Sequence, residues 1–348
     1  MVMQPRARLI YNPTSGSEGM GKYVADILNV LEGAGYEASA FRTTPAPMSA
    51  RDEAARVSKA HFDLIVAAGG DGTINEVVNG IAPCKHRPRM GIIPAGTTND
   101  YARALHIPRE DPVAAAKVIA AGQTLRMDIG KANDKYFMNI AGGGSLTELT
   151  YGVPSEFKSI FGYLAYLIKG AKMLPAMKNV PMHIKYDDGE YDGQASMFLI
   201  GLTNSIGGFE QIVPDAELGD GLFTMIVVKT ANLGEILKLI AMVFNGGKHV
   251  DDDNIIYAKT SRIEATRTDG EPLKINLDGE YGGDTPMTFV NLSRHIEMFA
   301  NVDDIPDANI APQNQLSQED LMNEVERISE QDLNGDGQIG DHDHKDAD

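Results

Sequence analysis

The sequence predicts an α/β domain, then a β-rich, sandwich-like domain and an acidic C-terminal tail. Strand-like and helical patterns alternate over residues 1–130, which favours an open and mostly parallel sheet. Short strand-like runs separated by turn residues dominate residues 131–300, which favours an antiparallel sandwich. Residues 301–348 hold 14 acidic and 2 basic residues. We therefore predict these three ranges as the units of the chain, with the last strand of the second unit a candidate to pack back on the first.

In the first domain, apolar runs that predict buried strands alternate with stretches of helical periodicity. The strands are expected at residues 7–11, 37–41, 64–68 and 90–93. The helices are expected at residues 22–33, 49–60, 74–80, 99–105 and 112–121. Because parallel strands end at one edge of their sheet, the glycine-rich turns after these strands are predicted to meet there.

In the second domain, strand-like runs are interrupted by two helical stretches. The strands are expected at residues 135–140, 182–186, 195–203, 221–228, 262–266, 273–277 and 287–292. The helices are expected at residues 157–174 and 233–244. Turn sequences such as Asp269-Gly270 separate neighbouring runs, as in antiparallel hairpins.

Composition, charge and the absence of long apolar segments make several classes of protein improbable for this sequence. The single cysteine, Cys84, rules out an intrachain disulfide and disfavours a cysteine-based zinc site. No segment predicts a signal peptide or a membrane-spanning helix, so a cytoplasmic protein is expected. The net charge of -18 disfavours nucleic acid as a partner, but the tail holds -12 of it and the remaining chain only -6.

The loop Gly69-Gly70-Asp71-Gly72-Thr73 is the strongest indication of a ligand site. Glycines let a backbone approach a phosphate, and the N–H groups at the start of the following helix can donate to it. Asp71 would repel a phosphate unless Mg²⁺ lay between them, so the loop predicts a metal-bound nucleotide. The alternative is a tight strand-to-helix turn in which Asp71 is the N-cap.

Two other loops are predicted at the same edge of the sheet. The loop at residues 16–23 matches a P-loop except at Tyr23, which cannot replace the Ser or Thr that binds Mg²⁺, so a true P-loop is not expected. The turn at residues 96–100 also follows a strand and opens a helix, which would complete a nucleotide crevice. Asp100 and Arg103 share one face of that helix, and a local ion pair is the alternative role for them.

Three motifs in this order resemble the diacylglycerol kinase catalytic family. They are Tyr11-Asn12-Pro13-Thr14-Ser15-Gly16, then Gly69-Gly70-Asp71-Gly72-Thr73 with Asn75-Glu76, and then Gly96-Thr97-Thr98-Asn99-Asp100. The resemblance covers about residues 6–300 and is nearest to the soluble bacterial lipid kinases that make phosphatidate from diacylglycerol. It implies an N-terminal nucleotide-binding domain like that of NAD kinases and diacylglycerol kinases. ATP and Mg²⁺ would lie in the cleft between this domain and the β-rich one.

The resemblance also implies roles for individual residues. Asp71 would hold the catalytic Mg²⁺, and Glu280 would be the general base. The surrounding charge network would be Asp100, Arg103, Asp128 and Asp278. A structural Mg²⁺ would be held by the Asp220 carboxylate and the carbonyls of Glu217 and Leu222. The nucleotide would be lined by Asn12, Pro13, Thr14, Ser15, Gly16, Thr43, Gly69, Gly70, Asp71, Gly72, Thr73, Ile74, Asn75 and Thr97.

Two further features bear on the chemistry. The nearest members of the family carry a lysine directly after the first motif, where this chain has Ser17, and Lys22 is the candidate to replace it. Asp278-Gly279-Glu280 follows an apolar strand in a predicted turn, so two carboxylates can project near one point. From spacing alone, an exposed hairpin turn with acidic residues is the alternative.

Diacylglycerol lies in the bilayer, so peripheral membrane contact is expected. Residues 157–174 carry an apolar stripe at helical spacing flanked by lysines, which is typical of an interfacial helix. The apolar residues are Phe157, Ile160, Phe161, Leu164, Ile168 and Ala171, and the lysines are Lys158, Lys169, Lys172 and Lys178. The alternative is a core helix of the second domain with solvated lysine ends.

The tail contains part of the pattern of an EF-hand calcium loop. The candidate Ca²⁺ ligands are Asp332, Asn334, Asp336, Gln338 and Asp343. Asp343 replaces the glutamate that grips calcium with two oxygens, and five residues follow the loop, too few for an exit helix. A solvated acidic tail is the alternative.

The sequence therefore predicts ATP-dependent phosphorylation of diacylglycerol, and the resemblance suggests a homodimer. Three alternatives remain: a kinase for another lipid alcohol such as a sphingoid base, an NAD kinase, and a nucleotide-binding regulator without turnover. NAD kinases are similar at residues 69–73, but the first motif and Asn75-Glu76 favour a lipid kinase. Ser17 is the one feature of the sequence that supports a regulator.

Overall fold

Two β-sheets organise the part of the chain that the structure describes, one of ten strands and one of six. The computed structural model describes residues 4–15, 19–96, 99–144, 178–203, 217–230, 248–306 and 309–311, together with residues 232, 235, 236, 238, 239 and 242. Among the described residues, no helix is long and apolar enough to cross a membrane.

The first half of the ten-stranded sheet is parallel. Its strands, in the order β2-β1-β3-β4, are β1 (Arg6–Tyr11), β2 (Glu37–Arg42), β3 (Leu64–Gly69) and β4 (Arg89–Pro94). β3 is buried along its whole length, as expected for a parallel strand with both faces covered. Because β2 lies on one side of β1 and β3 on the other, the direction of winding reverses between β1 and β3.

Five helices accompany these strands. They are α1 (Val24–Gly33), α2 (Ser49–Lys59), α3 (Asp71–Ile81), α4 (Asp100–Ala104) and α5 (Pro112–Ala121), and a 3-10 turn at Met20–Tyr23 precedes α1. α3 buries Ile74, Val77, Val78 and Ile81, the spacing of one helical face. Gly80 lies on that face, where a Cβ would collide with the Arg51 carbonyl of α2 and lie 2.7 Å from the Ala54 Cβ.

The second half of the chain is antiparallel. The ten-stranded sheet continues with β5 (Thr124–Ala132), β6 (Lys135–Phe137), β8 (Val180–Tyr186), β9 (Gly189–Ala195), β13 (Arg262–Arg267) and β16 (Met287–Phe299). The six-stranded sheet, in the order β12-β11-β10-β7-β14-β15, consists of β7 (Ile140–Gly144), β10 (Met197–Gly201), β11 (Phe223–Val228), β12 (Ile255–Thr260), β14 (Lys274–Leu277) and β15 (Glu280–Asp284).

β16 belongs to both hydrophobic cores. Met298 and Phe299, near its end, pack in the first core with the parallel strands and their helices. Phe289, near its start, packs in the second core, which fills the space between the two sheets. There the rings of Phe137 and Phe198 meet Phe289 edge to face, with centroids 6.2 and 6.1 Å apart. The predicted fold class, an α/β domain followed by a β-sandwich, is therefore confirmed.

Several elements differ from the sequence-based expectation. β16 is 13 residues long rather than six, and β5, β9, β12 and β15 were not predicted. Residues 140–144 form β7 although three of the five are glycines, because neighbouring strands supply the side chains that fill the space beside it. Of the helix expected at residues 233–244, the described residues 235, 236, 238, 239 and 242 are helical.

The folded body extends past the predicted start of the tail at residue 301. Ile305 and Ala311 are buried, and the Asn301 amide donates to the His106 carbonyl at 2.9 Å. Leu218 forms a bridge with Ile310. The apolar side chains of Ile305 and Ala311 are therefore part of the folded body. Composition assigns them to the tail because the residues around them are mostly polar. The predicted helix at residues 157–174 and the calcium loop at residues 332–343 lie outside the described residues.

We expect Gly80→Ala to lower the free energy of unfolding by about 1–3 kcal/mol, because the added methyl group must push α2 away from α3. Gly33→Ala, at the exposed end of α1, is the matched control, since nothing lies within 4 Å of the position that its added methyl group would take. It should raise stability by up to about 1 kcal/mol. Urea unfolding measures both changes, and equal stabilities of the two variants would contradict this packing.

Candidate active site

The candidate site begins where the winding of the parallel sheet reverses. Tyr11 at the end of β1 pairs with Ala68 of β3, and the next N–H, that of Asn12, donates to the Ala68 carbonyl at 2.9 Å. The Asn12 carboxamide then accepts hydrogen bonds from the Thr14 N–H at 3.1 Å and the Thr14 hydroxyl at 3.0 Å. Ligands of open α/β sheets bind in the crevice at this kind of reversal.

The glycine-rich turns after β3 and β4 pack directly on one another. The Ala95 N–H donates to the Gly69 carbonyl at 2.8 Å. A Cβ added to Gly96 would lie 2.8 Å from the Gly70 Cα, so a side chain there would force the two turns apart. Glycine at these positions therefore brings two backbone turns to one edge of the sheet, as the sequence predicts.

Asp71 is the first residue of α3 and faces the turn after β4. Its carboxylate Oδ2 accepts the N–H of Asn99 at 3.0 Å. Asn99 is buried in a left-handed conformation (φ 51°), and its carboxamide closes the turn by bonding the N–H and carbonyl of Gly96 at 2.8 and 2.7 Å. Desolvation raises the pKa of the Asp71 carboxyl, although backbone N–H groups oppose this shift. A desolvated carboxylate beside a glycine-rich turn suits Mg²⁺.

Asp278 is held by four hydrogen bonds. Its Oδ2 accepts the Met138 N–H and the Asn75 amide, both at 2.8 Å. Its Oδ1 accepts the N–H groups of Asn139 and Ile140, both at 2.9 Å. Desolvation raises the pKa of the Asp278 carboxyl, and these four donors act against that shift. Since each oxygen already accepts two hydrogen bonds, this carboxylate fixes the geometry of the turn.

Glu280 begins β15 two residues after Asp278 and is exposed. The turn between them is specified by backbone conformation, with φ 50° at Asp278 and 94° at Gly279, and by the Gly279 N–H bond to the Asn276 carboxamide at 2.8 Å. Tyr281 beside it is 50% exposed. The arrangement presents an accessible carboxylate from a tightly held turn.

Asp128 of β5 lies opposite a bulge in β16. Its two oxygens accept the N–H groups of Arg294 and Gly221, both at 2.7 Å. Desolvation raises the pKa of Asp128, and the nearby charge of Asp220 adds to the shift. Asp220, a predicted ligand of a structural metal, accepts the Leu222 N–H at 2.8 Å and lies 3.5 Å from the Lys259 ammonium. Asp128 therefore holds the turn that carries the predicted ligands of the structural metal against the sheet.

Two donors on α4 are buried without a hydrogen-bond partner among the described residues. They are the Tyr101 hydroxyl and the Arg103 Nε. Desolvation, together with the charges of Asp128 and Asp278, raises the pKa of Tyr101 well above its usual range. Buried donors are almost always satisfied, so the acceptors of these two groups come from outside the described residues. Phosphate oxygens and metal-bound water fit that requirement, and the carboxylate at Asp71 fits a hard cation.

The structure thus brings most of the predicted residues to one edge of the sheet. Asn12, Pro13, Thr14 and Ser15 follow β1, residues 69–73 follow β3, and the Thr43 N–H bonds the Tyr11 carbonyl at 2.9 Å. The Ile74 side chain instead packs in the first core, and the Asn75 amide contacts Asp278. Gly16, Ser17 and Thr97 lie outside the described residues.

Sequence reasoning missed two asparagines. Asn99 orders the turn beside Asp71, and its place at the start of the helix predicted at residues 99–105, where asparagine is a common N-cap, was the available signal. Asn79 bonds Asn75 on the same helix, and their spacing of four residues places them on one face. The partners of both asparagines in neighbouring segments depend on tertiary packing.

Comparison with known proteins agrees with this architecture. The family model of the diacylglycerol kinase catalytic domain matches residues 6–132, and that of the YegS C-terminal NAD kinase beta sandwich-like domain matches residues 153–300. The crystal structure of a candidate diacylglycerol kinase from Bacillus anthracis strain Sterne superposes with a TM-score of 0.75 at 26% identity, covering 86% of this chain and 99% of that one.

Two relatives are similar over most of their length. The diacylglycerol kinase of Bacillus subtilis strain 168 is 51% identical over 293 residues, which are 84% of this chain and 95% of that protein. The diacylglycerol kinase of Staphylococcus epidermidis strain RP62A is 50% identical over 302 residues, which are 86% of this chain and 94% of that protein. Both family models match the chain, these relatives are about half identical to it, and the solved structure has the same fold. The chain therefore belongs to the diacylglycerol kinase family.

Proposed function

We propose that the protein transfers the γ-phosphoryl group of ATP to the free hydroxyl of diacylglycerol, which gives phosphatidate and ADP. The observation that carries the proposal is the placement of Asp71 beside two stacked glycine turns at the reversal of the parallel sheet. Relatives at about half identity that are named diacylglycerol kinase support the acceptor.

The nucleotide is proposed to lie over the turns after β1, β3 and β4. Gly72 leaves the start of α3 open, since nothing lies within 4 Å of a Cβ added there, so that backbone N–H groups and the positive end of the helix face the phosphates. The buried Nε of Arg103 supplies a donor for a phosphate oxygen. Asn12 and Thr14, fixed by their own hydrogen bonds, form the wall of the crevice on the β1 side.

Asp71 is the residue proposed to hold Mg²⁺, directly or through water. When bound, the ion neutralises the negative charge that phosphoryl transfer places on the phosphate oxygens. Asn99 keeps the Asp71 carboxylate facing the turn after β4, and Tyr101 supplies a buried donor near Asp128 and Asp278. Asp128 and Asp278 support the site through the backbone segments that they bind.

Glu280 is the proposed general base. The acceptor hydroxyl oxygen attacks the γ-phosphorus, the bond from that phosphorus to the bridging oxygen breaks, and ADP leaves. The proton of the hydroxyl passes to the Glu280 carboxylate. Glu280 suits this role because it is exposed to an incoming acceptor, while the Asp278-Gly279 turn restricts its position.

Several finer assignments belong to the same proposal. The acceptor is a membrane lipid, so we propose peripheral contact with the bilayer. The turn holding Asp220 is proposed to bind a structural Mg²⁺, because one carboxylate with neighbouring carbonyls is a suitable oxygen ligand set. A homodimer and Ca²⁺ binding by residues 332–343 remain predictions from the resemblance and from the tail sequence.

The acceptor is tested by radiolabelled phosphoryl transfer in mixed micelles that contain diacylglycerol, sphingosine or NAD. We expect labelled phosphatidate as the main product. Preferential labelling of sphingosine would show that the acceptor is a sphingoid base and that the protein is still a lipid kinase. Labelling of NAD, or of no acceptor, would favour the NAD kinase or the non-catalytic regulator instead.

We expect Asp71→Asn to lower kcat by at least ~100-fold, because it removes the charge that holds the metal. The raised pKa of Asp71 means that its ionised form is disfavoured in the folded protein, so at neutral pH the metal-free variant should be as stable as the wild type or more so. Mg²⁺ should then raise its Tm less than that of the wild type, because only the proposed structural site at Asp220 remains. Asp188→Asn, in an exposed turn, is the control. Near-normal turnover with an unchanged Mg²⁺ requirement would contradict the assignment.

Glu280→Gln should abolish transfer to the lipid while ATP affinity, measured by calorimetry, stays close to that of the wild type. The reason is that the glutamine cannot accept the proton, whereas the proposed nucleotide contacts lie on other segments. Glu190→Gln, on the exposed strand β9, should leave both quantities unchanged. Loss of ATP binding, or retained turnover, in Glu280→Gln would show that this residue is not the base.

A further inference from the structure

We propose that Asn75 is a positioning residue, whose amide couples the phosphate-binding end of α3 to the turn that carries Glu280. The inference rests on the proposed function, since it concerns how Asp71 and Glu280 are held relative to one another. In this role Asn75 aligns Asp71, on the nucleotide side of the site, with Glu280, on the acceptor side. The sequence instead predicts that Asn75 contacts the nucleotide.

Both ends of the Asn75 carboxamide are engaged by protein groups. Its Nδ2 donates to the Asp278 Oδ2 at 2.8 Å, and its Oδ1 accepts from the Asn79 Nδ2 at 3.1 Å. The orientation of the amide follows from its partner, because an ionised carboxylate accepts hydrogen bonds and does not donate them. These bonds leave one N–H and one lone pair of the carboxamide unused, but its orientation is fixed by Asp278 and Asn79 rather than by a nucleotide.

Asn79 extends the contact to a third segment. Its Nδ2 also lies 3.0 Å from the Asn75 carbonyl and 2.9 Å from the Tyr136 carbonyl, and its Oδ1 accepts the Tyr136 N–H at 3.0 Å. Tyr136 belongs to β6, just before the backbone N–H groups of residues 138–140 that bind Asp278. Through Asn79 and Asn75, α3 is therefore hydrogen-bonded both to β6 and to the turn after β14. Residues 138–140 complete the network, because they follow β6 and their N–H groups bind Asp278 in that turn.

The network joins the two halves of the proposed chemistry. Asp71 and Asn75 are four residues apart on α3, so they share one face of a rigid helix. Asp278 and Glu280 are two residues apart, and the Asp278 N–H is itself bound to the Ile140 carbonyl at 2.8 Å. The Asn75–Asp278 bond is thus a short link between the metal-binding carboxylate and the base. Misplacement of reacting groups by about 1 Å can cost 100-fold in rate.

The link also gives a route from nucleotide binding to the base. A nucleotide that orders the start of α3 restrains Asn75, one helical turn away, and through it the turn at Asp278.

Asn75→Ala removes the link and leaves the other three hydrogen bonds of Asp278 in place. Alanine also favours the helix, so the variant is expected to fold. Asn75→Ser, too short to reach Asp278, is a second variant should the first be unstable to urea.

The first measurement separates kcat from ATP affinity. For Asn75→Ala we expect kcat with diacylglycerol to fall at least about tenfold, the factor that one lost hydrogen bond supplies, with ATP affinity by calorimetry within about twofold of the wild type. A parallel fall in ATP affinity would make Asn75 a nucleotide ligand and overturn the proposal. An unchanged kcat would overturn it as well.

The second measurement does not depend on the acceptor. In the wild type, we expect ATP with Mg²⁺ to slow amide hydrogen exchange in peptides covering residues 69–75 and residues 276–281. In Asn75→Ala the first protection should remain and the second should be lost. Retained protection of residues 276–281 would refute the coupling. Inactivity of the wild type towards diacylglycerol would instead refute the proposed function while leaving this exchange result to decide the coupling.

The matched control is Asn254→Ala. The Asn254 amide donates to Glu235 at 3.2 Å and to Asp252 at 3.1 Å, outside the proposed site. Its loss removes comparable hydrogen bonds, so it reports any general effect of weakening a side-chain network. We expect unchanged kcat, ATP affinity and nucleotide-dependent exchange in this control. Changes equal to those of Asn75→Ala would show that the effect is not specific to the link, and would overturn the proposal.

Discussion

The antiparallel pairing of β5 with β16 is the constraint on which the rest of the structure depends. Both strands extend through the two cores, β5 from the first to the second and β16 in the opposite direction, so backbone hydrogen bonding between them fixes the α/β half against the sandwich half. The register shifts between Leu292 and Ile296, and the buried Asp128 carboxylate binds the Arg294 N–H released by this bulge. An unpaired N–H would be costly at such a position, and a buried carboxylate would be costly without donors.

That rigid connection lets distant parts of the chain contribute to one site. The glycine turns and Asp71 come from the parallel strands, whereas Glu280 comes from the six-stranded sheet. Side chains then tie the two sources together, since Asn75 of α3 bonds Asp278 across more than 200 positions of sequence. Such long-range polar contacts hold their geometry because the backbone segments around them are already fixed by the sheets.

Burial raises the pKa of Asp71, Asp128 and Asp278 alike, yet their positions indicate different roles. Asp278 accepts four hydrogen bonds from two separate segments, and Asp128 binds two distant backbone N–H groups, so both organise polypeptide. Asp71 instead lies beside the two glycine turns, where the Asn99 N–H binds one of its oxygens. The carboxylate that faces the glycine-rich turns is therefore the one suited to a metal. The donors around the other two explain why they can remain ionised when desolvated.

The sequence by itself determined the alternating first half, the β-rich second half and the glycine-rich turns. Local patterns are enough there, because a continuous apolar run specifies a buried strand and glycines specify a close approach of backbones. It did not reveal the length of β16, the glycine strand β7 or the packing of Ile305 and Ala311, because their stability comes from neighbours far away in sequence. The partner of Asn75 was likewise beyond local reasoning. A carboxamide is compatible with a nucleotide or a carboxylate, and only the tertiary structure revealed a carboxylate partner, by placing Asp278 2.8 Å away.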